Sequence, residues 1–515
     1  MGENNSTLTY SVPGSMNVKQ GQIVTIPLRN RQTKGIIFNL TNNKPGFKTR
    51  DIVSIEKESP HLQTWQIELI KWISDYYVSP LSKTLKLFLP TTLIKRKKEL
   101  KITVPADNEE NQIKFKHVLS ENQQCIIDAI NKSKNKISLL HGITGSGKTE
   151  VYLNFLEPLV KAGKQVLILV PEISLTPQTC RRFEEFFQEK VIAIHSHLTP
   201  KQKEEAWYKI HKNNVKIIIG SRSALFAPFQ NLAAIIIDEE HDSCYKQDQN
   251  PRYNAIDVAK KISELLNIKV IMGSATPSVE TYYLAKKGAY DLYELNERAN
   301  QKNSLLPKTA IVDMREEIKK KNFSIFSEGL AKQMTEKLTN NEQIILFLNR
   351  RGAASAVICR ECGFTIDCEE CQIPMTYHKK FAVEGRMFNA EKLICHHCGL
   401  IKTVPVKCPQ CSSVYIKYIG LGTQRIEEDC QLMFPFARVL RADRDTTQKK
   451  GDFENMYNQF RKHQADILIG TQMISIGLHL PKVNLVGVVM SDIGITIPNF
   501  RSAEKTFQLI TQVAG

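Results

Sequence analysis

No run in this 515-residue chain approaches the roughly 20 apolar residues that a helix needs to cross a bilayer, so no membrane-spanning helix is expected. The opening Met1-Gly2-Glu3-Asn4-Asn5-Ser6 lacks the hydrophobic core of an export signal, which points to the cytoplasm. Those residues fit the short myristoylation pattern M-G-x-x-x-S, yet nothing else in the chain points to lipid. Acid is also in short supply. With 70 Lys and Arg against 53 Asp and Glu, the net charge is +17 and the pI about 9.2, a balance that favours a polyanionic partner. Charge alone does not separate nucleic acid from a ribosome or a membrane surface. Four of the 12 cysteines, Cys125, Cys180, Cys244 and Cys430, are scattered, and each is expected as a small buried apolar residue. The length allows three or four domains, and 42% hydrophobic content suits a folded globular protein.

What is present begins with Gly142-Ile143-Thr144-Gly145-Ser146-Gly147-Lys148-Thr149. The apolar run Ile137-Ser138-Leu139-Leu140 before it reads as a buried strand, and residues 148–160 have helical spacing, so the order is strand, glycine loop, helix. Glycines let such a loop curl its N–H groups onto phosphate oxygens, and the helix N-terminus adds partial positive charge. Lys148 is then the ligand of the β- and γ-phosphates, and the Thr149 hydroxyl a ligand of Mg²⁺. Further along, Ile235-Ile236-Ile237 reads as a second buried strand that delivers Asp238-Glu239-Glu240-His241 to the carboxyl edge of a sheet. Asp238 is expected in the Mg²⁺ shell and Glu239 as the base for the attacking water, a constellation that splits ATP.

The other eight cysteines form four Cys-x-x-Cys pairs, Cys359 with Cys362, Cys368 with Cys371, Cys395 with Cys398, and Cys408 with Cys411. Four thiolates satisfy one tetrahedral Zn²⁺, so the count calls for two ions, on which the folding of so small a segment depends. Spacing alone leaves the pairing open, and His396 and His397 are conceivable substitutes. A disulfide framework is the competing reading, but a nucleotide-driven motor implies a reducing compartment.

Further stretches narrow the class. They are Leu119-Ser120-Glu121-Asn122-Gln123, Val170-Pro171-Glu172-Ile173-Ser174-Leu175-Thr176-Pro177-Gln178, Gly220-Ser221-Arg222-Ser223-Ala224-Leu225-Phe226-Ala227-Pro228 and Gly273-Ser274-Ala275-Thr276-Pro277. A loop over 242–257 contains Cys244-Tyr245-Lys246-Gln247 and Pro251-Arg252-Tyr253. Strand signatures return at Gln343-Ile344-Ile345-Leu346-Phe347-Leu348, leading into Asn349-Arg350-Arg351-Gly352. After the cysteines come Gly420-Leu421-Gly422-Thr423-Gln424-Arg425, Asp466-Ile467-Leu468-Ile469-Gly470-Thr471-Gln472-Met473 and Leu485-Val486-Gly487-Val488-Val489-Met490.

Together these stretches resemble the superfamily 2 helicases of the DEAH type, and among them the primosomal replication-restart helicases, over most of the chain. The resemblance implies an α/β fold of two RecA-like P-loop lobes, with an N-terminal β-rich DNA-binding domain and a zinc-binding insertion in the second lobe. The domains expected are a 3′-end DNA-binding domain over 1–90, a linker over 91–118 where the family usually has a winged helix, a first lobe over 119–300, the start of a second lobe over 301–358, the cysteine-rich domain over 359–412, and the rest of the second lobe over 413–515. The N-terminal assignment draws on the alternating Gln22-Ile23-Val24-Thr25-Ile26-Pro27 and the helical spacing over 62–77. Thr9 stands where the family commonly has an acid for the terminal hydroxyl, and Leu28-Arg29 departs nearby. In the linker, Lys95-Arg96-Lys97-Lys98 reads as a solvated basic run that grazes DNA phosphates or serves solubility alone.

The same resemblance makes Gln123 a reader of adenine and places Arg222, Tyr245, Lys246, Arg252, Tyr253, Ser274, Thr276, Arg350 and Thr471 among DNA-contacting or coupling residues. After Tyr253 the chain has Asn254, Ala255 and Ile256 where the family has His and Arg, so weaker coupling is expected; Ile476 and Leu478 stand where the family has Lys and His, a departure that bears on a DNA or nucleotide contact. It also implies nested zinc sites: 359, 362, 408 and 411 on one ion, 368, 371, 395 and 398 on the other, with residues 377–393 as a surface insertion. Thr511-Gln512-Val513-Ala514-Gly515 resembles the opening of motif VI, whose next residues carry the arginines for the γ-phosphate, so the chain is expected to be truncated there and to lack the family's C-terminal domain. The activity implied is ATP-dependent 3′→5′ unwinding of forked and single-stranded DNA to initiate primosome assembly, with single-strand-binding protein and primosome proteins as partners. The alternative is a fork-binding platform with little unwinding. A P-loop kinase would leave the second lobe and the cysteines unexplained.

Overall fold

The computed structural model describes residues 7–43, 45–55, 61–89, 119–172, 177–189, 191–196, 198–298, 307–348, 355–359, 361–378, 381–383, 386–388, 391–419, 423–443, 446, 452–471, 474, 480, 482–495 and 499–514. Pro90 and the linker over 91–118, residues 173–176, Arg350 with its neighbours Asn349, Arg351 and Gly352, Gly420 to Gly422, Gln472, Met473, Ile476 to Leu478 and Gly515 lie outside them. The chain divides into two compact units, residues 1–302 and 303–515. Among the described residues no helix is long and apolar enough to cross a membrane.

In the first unit, β1 (Ile23–Leu28) and β2 (Arg31–Ile36) form an antiparallel hairpin, and β3 (Ser54–Ile55) pairs with the other edge of β1. The hairpin turns at Arg29, held at φ 54°. Two helices follow, α1 (Thr64–Tyr76) and α2 (Leu81–Phe88). The inner stripe of α1, with Ile67, Ile70 and Ile73, shares one apolar core with Phe226 and Phe229, so this helix pair is fastened to the rest of its unit. Gln66 Nε2 donates to the Ala227 carbonyl at 3.0 Å and Gln63 Nε2 to Gln230 Oε1 at 2.7 Å, so the polar groups buried at this joint are paired.

The rest of the unit surrounds a seven-stranded, all-parallel sheet. After α3 (Glu121–Lys132), β4 (Ile137–Gly142) leads to α4 (Lys148–Lys161), β5 (Gln165–Leu169) to α5 (Pro177–Phe187), and β6 (Val191–Ile194) to α6 (Pro200–His211). Then come β7 (Ile217–Gly220), β8 (Leu232–Asp238), α7 (Ala255–Leu266), β9 (Lys269–Ser274), α8 (Val279–Lys286) and β10 (Asp291–Leu295). Spatial order is β10-β4-β9-β8-β5-β7-β6. Helices cover both faces, which explains why these strands read as continuous apolar runs. Side chains alternate between two cores: Leu139, Ile235 and Met272 enter one, while Leu140, Ile236 and Ile271 enter the other.

The second unit starts with α9 (Met314–Lys319) and α10 (Glu328–Thr339) and holds a four-stranded parallel sheet of order β19-β20-β11-β21, made from β11 (Gln343–Leu348), β19 (Val439–Ala442), β20 (Ile467–Gly470) and β21 (Val483–Val489). Flanking it are α11 (Thr423–Met433), α12 (Asp452–Arg461) and α13 (Ser502–Ala514). Leu346 and Ile469 face one core, Phe347 and Leu468 the other. Between β11 and β19 a five-stranded antiparallel sheet is inserted, built from β12 (Ser355–Cys359), β13 (Thr376–His378), β16 (Lys392–Ile394), β17 (Ile401–Thr403) and β18 (Ile416–Ile419), with a separate hairpin β14 (Phe381–Val383) and β15 (Arg386–Phe388). The fold is thus two RecA-like α/β lobes with an N-terminal domain and a cysteine-rich insertion.

Each lobe ties one core strand to a helix end in the same way. Gln165, opening β5, donates its amide to the carbonyls of Ile210 (2.8 Å) and Val215 (3.3 Å); Gln343, opening β11, donates to Phe460 (2.7 Å) and Ala465 (2.8 Å). A Cβ at Gly220, ending β7, would lie 2.6 Å from the Ile194 carbonyl, and one at Gly470, ending β20, 3.0 Å from that of Ala442.

Three of the four scattered cysteines depart from the expected burial. Cys125 is exposed, Cys180 and Cys244 are half-buried, and Cys430 is buried. Cys125 falls on the outer side of α3 because Ile126, Ile127 and Ile130 take the inner stripe.

Candidate functional site

Three parallel strands, β4, β9 and β8, end side by side, and their carboxyl edges carry the three motifs that matter. The first is the glycine loop. A Cβ at Gly142 would stand 2.5 Å from Ser146 Oγ, so the loop closes only over glycine at that point. Gly145 and Gly147 adopt φ of 77° and 83°, the left-handed region that turns successive N–H groups inward ahead of α4. Lys148 Nζ donates to the Gly142 carbonyl at 2.8 Å, across the mouth of the loop. Ser146 is buried, and its hydroxyl has no hydrogen-bond partner among the described residues. Such an orphaned donor fits a loop built for an anionic ligand.

Gln123 is buried against this loop. Its Nε2 donates to the Ser146 carbonyl at 3.1 Å, and its Oε1 accepts from Ser120 N at 2.9 Å while Ser120 Oγ accepts from Gln123 N. The capping box that starts α3 therefore also braces the loop.

The second motif divides its labour. Asp238 ends β8, and its Oδ1 accepts from Tyr152 Oη at 3.0 Å. Burial raises the Asp238 carboxyl above its ordinary value, while the Lys148 cation and the Tyr152 bond pull it down. Tyr152 reaches Asp238 because β9 has Gly273 at the crossing point, where any Cβ would stand 1.5 Å from the tyrosine oxygen. Glu239 is held at φ 48°, which non-glycine residues seldom adopt, between an Asp242 N to Glu239 carbonyl bond of 2.9 Å and a Glu240 N to Gly273 carbonyl bond of 3.1 Å. Glu240 turns away and is buried, accepting from Ser278 N at 2.6 Å and Thr281 Oγ1 at 3.0 Å at the start of α8. Burial raises its carboxyl. His241 Nδ1 lies 2.7 Å from Ser274 Oγ, which also accepts from Thr276 N at 2.9 Å, so this imidazole joins the acidic motif to the β9 edge. Burial lowers His241 to about 4, leaving it neutral near pH 7 beside Glu239 at 3.6 Å.

The loop after His241 is clamped to the same strand end. Tyr245 Oη donates to the Asp238 carbonyl at 2.6 Å, and its ring is 1% exposed. Tyr253, 2% exposed, packs edge-on against Phe226 at 5.0 Å. Arg222 Nη1 donates to the carbonyls of Cys244 and, at 3.3 Å, Lys246. The two rings named from the sequence as DNA neighbours are thus buried in the lobe, whereas Lys246 and Arg252 are exposed. Thr471 follows β20 in the second unit.

The cysteines form two tetrads, Cys359, Cys362, Cys408 and Cys411, and Cys368, Cys371, Cys395 and Cys398, with all sulfurs of a tetrad within 4.8 Å of one another. This is the nested grouping that the family resemblance implies. Sulfur separations of 3.6 Å (359 to 411), 3.7 Å (362 to 408) and 3.5 Å (368 to 398) suit thiolates about 2.3 Å from a shared tetrahedral Zn²⁺. Backbone N–H groups of Cys398 and His397 draw the Cys395 thiol down to about 6; at Cys408 burial opposes, and the N–H groups of Cys411 and Gln410 bring it to about 7. Neither histidine replaces a thiol. His397 Nδ1 lies 3.2 Å from Cys371 Sγ, and His396 Nε2 lies 3.1 Å from His378 Nε2.

Motif spacing named the loop lysine, the two carboxylates and the eight thiols, which the structure places at the strand edges and in the two tetrads. It missed Tyr152, whose only sequence trace is a tyrosine one helical turn past Lys148, and Glu240, which reads as a third site carboxylate but caps a helix.

The chain matches a family model described as DEAD/DEAH box helicase over residues 120–284, and one described as 3′ DNA-binding domain over residues 3–90. It is 48% identical over 390 residues to replication restart protein PriA of Bacillus subtilis, covering 76% of this chain and 47% of that protein. With the protein of the same name from Rickettsia conorii the identity is 36% over 512 residues, covering 99% of this chain and 76% of the relative. With that of Haemophilus influenzae it is 44% over 381 residues, covering 73% and 50%. The chain thus spans about half the length of the Bacillus and Haemophilus relatives and about three quarters of the Rickettsia one.

Proposed function

The chain belongs to the replication restart protein PriA family, and on that premise we propose that it is an ATP-hydrolysing DNA helicase that engages forked and single-stranded DNA during replication restart. The observation that carries this reading is the mechanical link at Asp238. Its carboxyl is bonded to Tyr152 on the phosphate-loop helix, and its carbonyl to Tyr245 on the loop that carries the exposed cations Lys246 and Arg252.

In this mechanism the triphosphate replaces the Gly142 carbonyl as the acceptor for Lys148, and the inward N–H groups of residues 143–149 hold its oxygens. Thr149 and Asp238 would hold Mg²⁺, which neutralises charge on the β- and γ-oxygens. Lys148 and the Tyr152 hydroxyl pull the Asp238 carboxyl down against the rise that burial causes. Glu239, aimed by its left-handed backbone, takes the proton of the attacking water. Neutral His241 on Ser274 makes the acidic motif and the β9 edge move together. Lys246 and Arg252 offer charge to the DNA backbone, with Arg222 fixing the loop that presents them.

Translocation runs 3′→5′ in this reading. Each cysteine tetrad holds one structural Zn²⁺, and the inserted sheet offers a surface for single-strand-binding protein and primosome proteins in the cytoplasm. Lys148→Ala is expected to abolish DNA-stimulated ATP hydrolysis, followed as phosphate release with forked or single-stranded DNA. Unchanged turnover would refute the site. Strand displacement from substrates with a 3′ or a 5′ tail tests the polarity.

A further inference from the structure

The loop over 242–254 has two fixed ends, and the helicase reading uses one of them. Tyr245 fastens the first end to Asp238. The second end is fastened to the N-terminal domain. Tyr77 follows the last turn of α1, and its hydroxyl accepts from Asn254 N at 3.1 Å and donates to Asp257 Oδ2 at 3.4 Å. Lys246 Nζ stands 5.4 Å from the centroid of the same ring. Two residues on, Ser79 Oγ donates to Asn250 Oδ1 at 2.5 Å.

The corner that makes these contacts is rigid. Val78 is held at φ 47°, which a β-branched residue rarely adopts, and Ser74 Oγ closes the turn by donating to the Ser79 carbonyl at 2.7 Å. Between its two ends the loop is closed on itself by the antiparallel bridge of Lys246 with Asn254, a Gln247 N to Tyr253 carbonyl bond of 2.9 Å and a Lys246 Nζ to Arg252 carbonyl bond of 2.5 Å. A body so cross-linked is a contiguous network along which a displacement of one end can reach the other.

These contacts do not hold the domain in place. That task falls to the apolar core shared by α1 and the lobe, and to Gln63 and Gln66, whose partners Gln230 and Ala227 lie outside the loop. The Tyr77 ring joins that core and packs edge-on against Trp72, whereas among the described residues the hydrogen bonds of its hydroxyl and of Ser79 Oγ go to the loop and the helix that follows it.

We infer that the Tyr77–Ser79 corner is a positioning element that transmits engagement of DNA by the N-terminal domain to the ATP site, through the 246–254 loop and Tyr245 to Asp238. The inference rests on the helicase reading above. It makes ATP hydrolysis answer to a DNA end held by one domain as well as to the strand under the motor.

Tyr77→Phe tests this, since it removes both hydroxyl bonds and leaves the ring under Lys246. ATP turnover is measured without DNA, at saturating forked DNA, and as a function of DNA concentration, with Gln63→Ala as a control at the same joint but away from the loop. The expected result is a loss of about fivefold in maximal stimulated turnover, the low end of coupling between linked sites. Basal turnover and the half-saturating DNA concentration stay as in the wild type, and Gln63→Ala keeps full stimulation. Stimulation of Tyr77→Phe equal to wild type overturns the relay, as does an equal fall in its basal turnover. A wild-type chain that DNA does not stimulate overturns both the relay and the helicase reading. Should Tyr77→Phe fail to fold, Asn250→Ala, which removes the Ser79 acceptor from the exposed side, carries the same expectation and the same refutation.

Discussion

Acid should loosen the first unit through His241, and the loss can be isolated. The imidazole side chain is 7% exposed, and burial lowers it from 6.5 to about 4. A histidine that is harder to protonate when folded than when unfolded stabilises the protein above pH 6.5, and that contribution is lost as pH falls toward 4. The full separation corresponds to about 3.4 kcal/mol, of which about 2 kcal/mol is lost between pH 7 and pH 5. His241→Gln cannot take up the proton, so its stability should fall by about 2 kcal/mol less over that interval. His211, also lowered by burial to about 4, titrates in both proteins and cancels in the difference. All three tryptophans, Trp65, Trp72 and Trp207, lie in the first unit, so urea unfolding followed by their fluorescence reports on that unit alone. Equal pH dependence in wild type and His241→Gln would refute the claim that the buried imidazole is neutral.

Other outcomes follow from the sites described. Freshly purified, reduced protein should contain two zinc ions per chain, and Cys408→Ser should lose one ion and keep the other; metal analysis near zero for the wild type would remove the tetrads from the mechanism. Tyr152→Phe takes away the hydrogen bond that pulls the Asp238 carboxyl down, a bond worth about 1.5–3 kcal/mol where the acceptor is charged, so Mg²⁺-dependent ATP turnover should fall by roughly tenfold or more. Unaltered turnover and Mg²⁺ requirement would show that the bond is incidental.

The parallel sheets were legible because strands covered on both faces must be apolar throughout, as Ile235-Ile236-Ile237 and Ile467-Leu468-Ile469 are. The phosphate loop and the tetrads were legible because their chemistry demands particular residues at short spacings. What stayed hidden depends on which strands become neighbours. Nothing near Tyr152 in sequence says that Gly273, over a hundred residues away, opens the path to Asp238. Glu240 looks like its neighbours until α8 is seen to begin beside it. Tyr245 and Tyr253 sit in a loop among cations, the pattern of a stacking surface, yet Phe226 and the Asp238 carbonyl claim them from within. Cys125 is exposed because its place on the helical stripe, not its residue type, decides its burial.

The matching glutamines belong to a local architecture that the two lobes share. Ile210, Val215, Ile217, Gly220 and Ala224 of the first lobe map at a constant offset onto Phe460, Ala465, Ile467, Gly470 and Ile474 of the second, including the left-handed Asn213 and His463 and the crowding of each strand-end glycine. On that map Thr471 is the counterpart of Ser221, beside Arg222. The turns that follow β7 and β20 are thus built alike, one in each lobe, so a side chain added at either strand-end glycine meets the same kind of obstacle, a neighbouring strand's carbonyl.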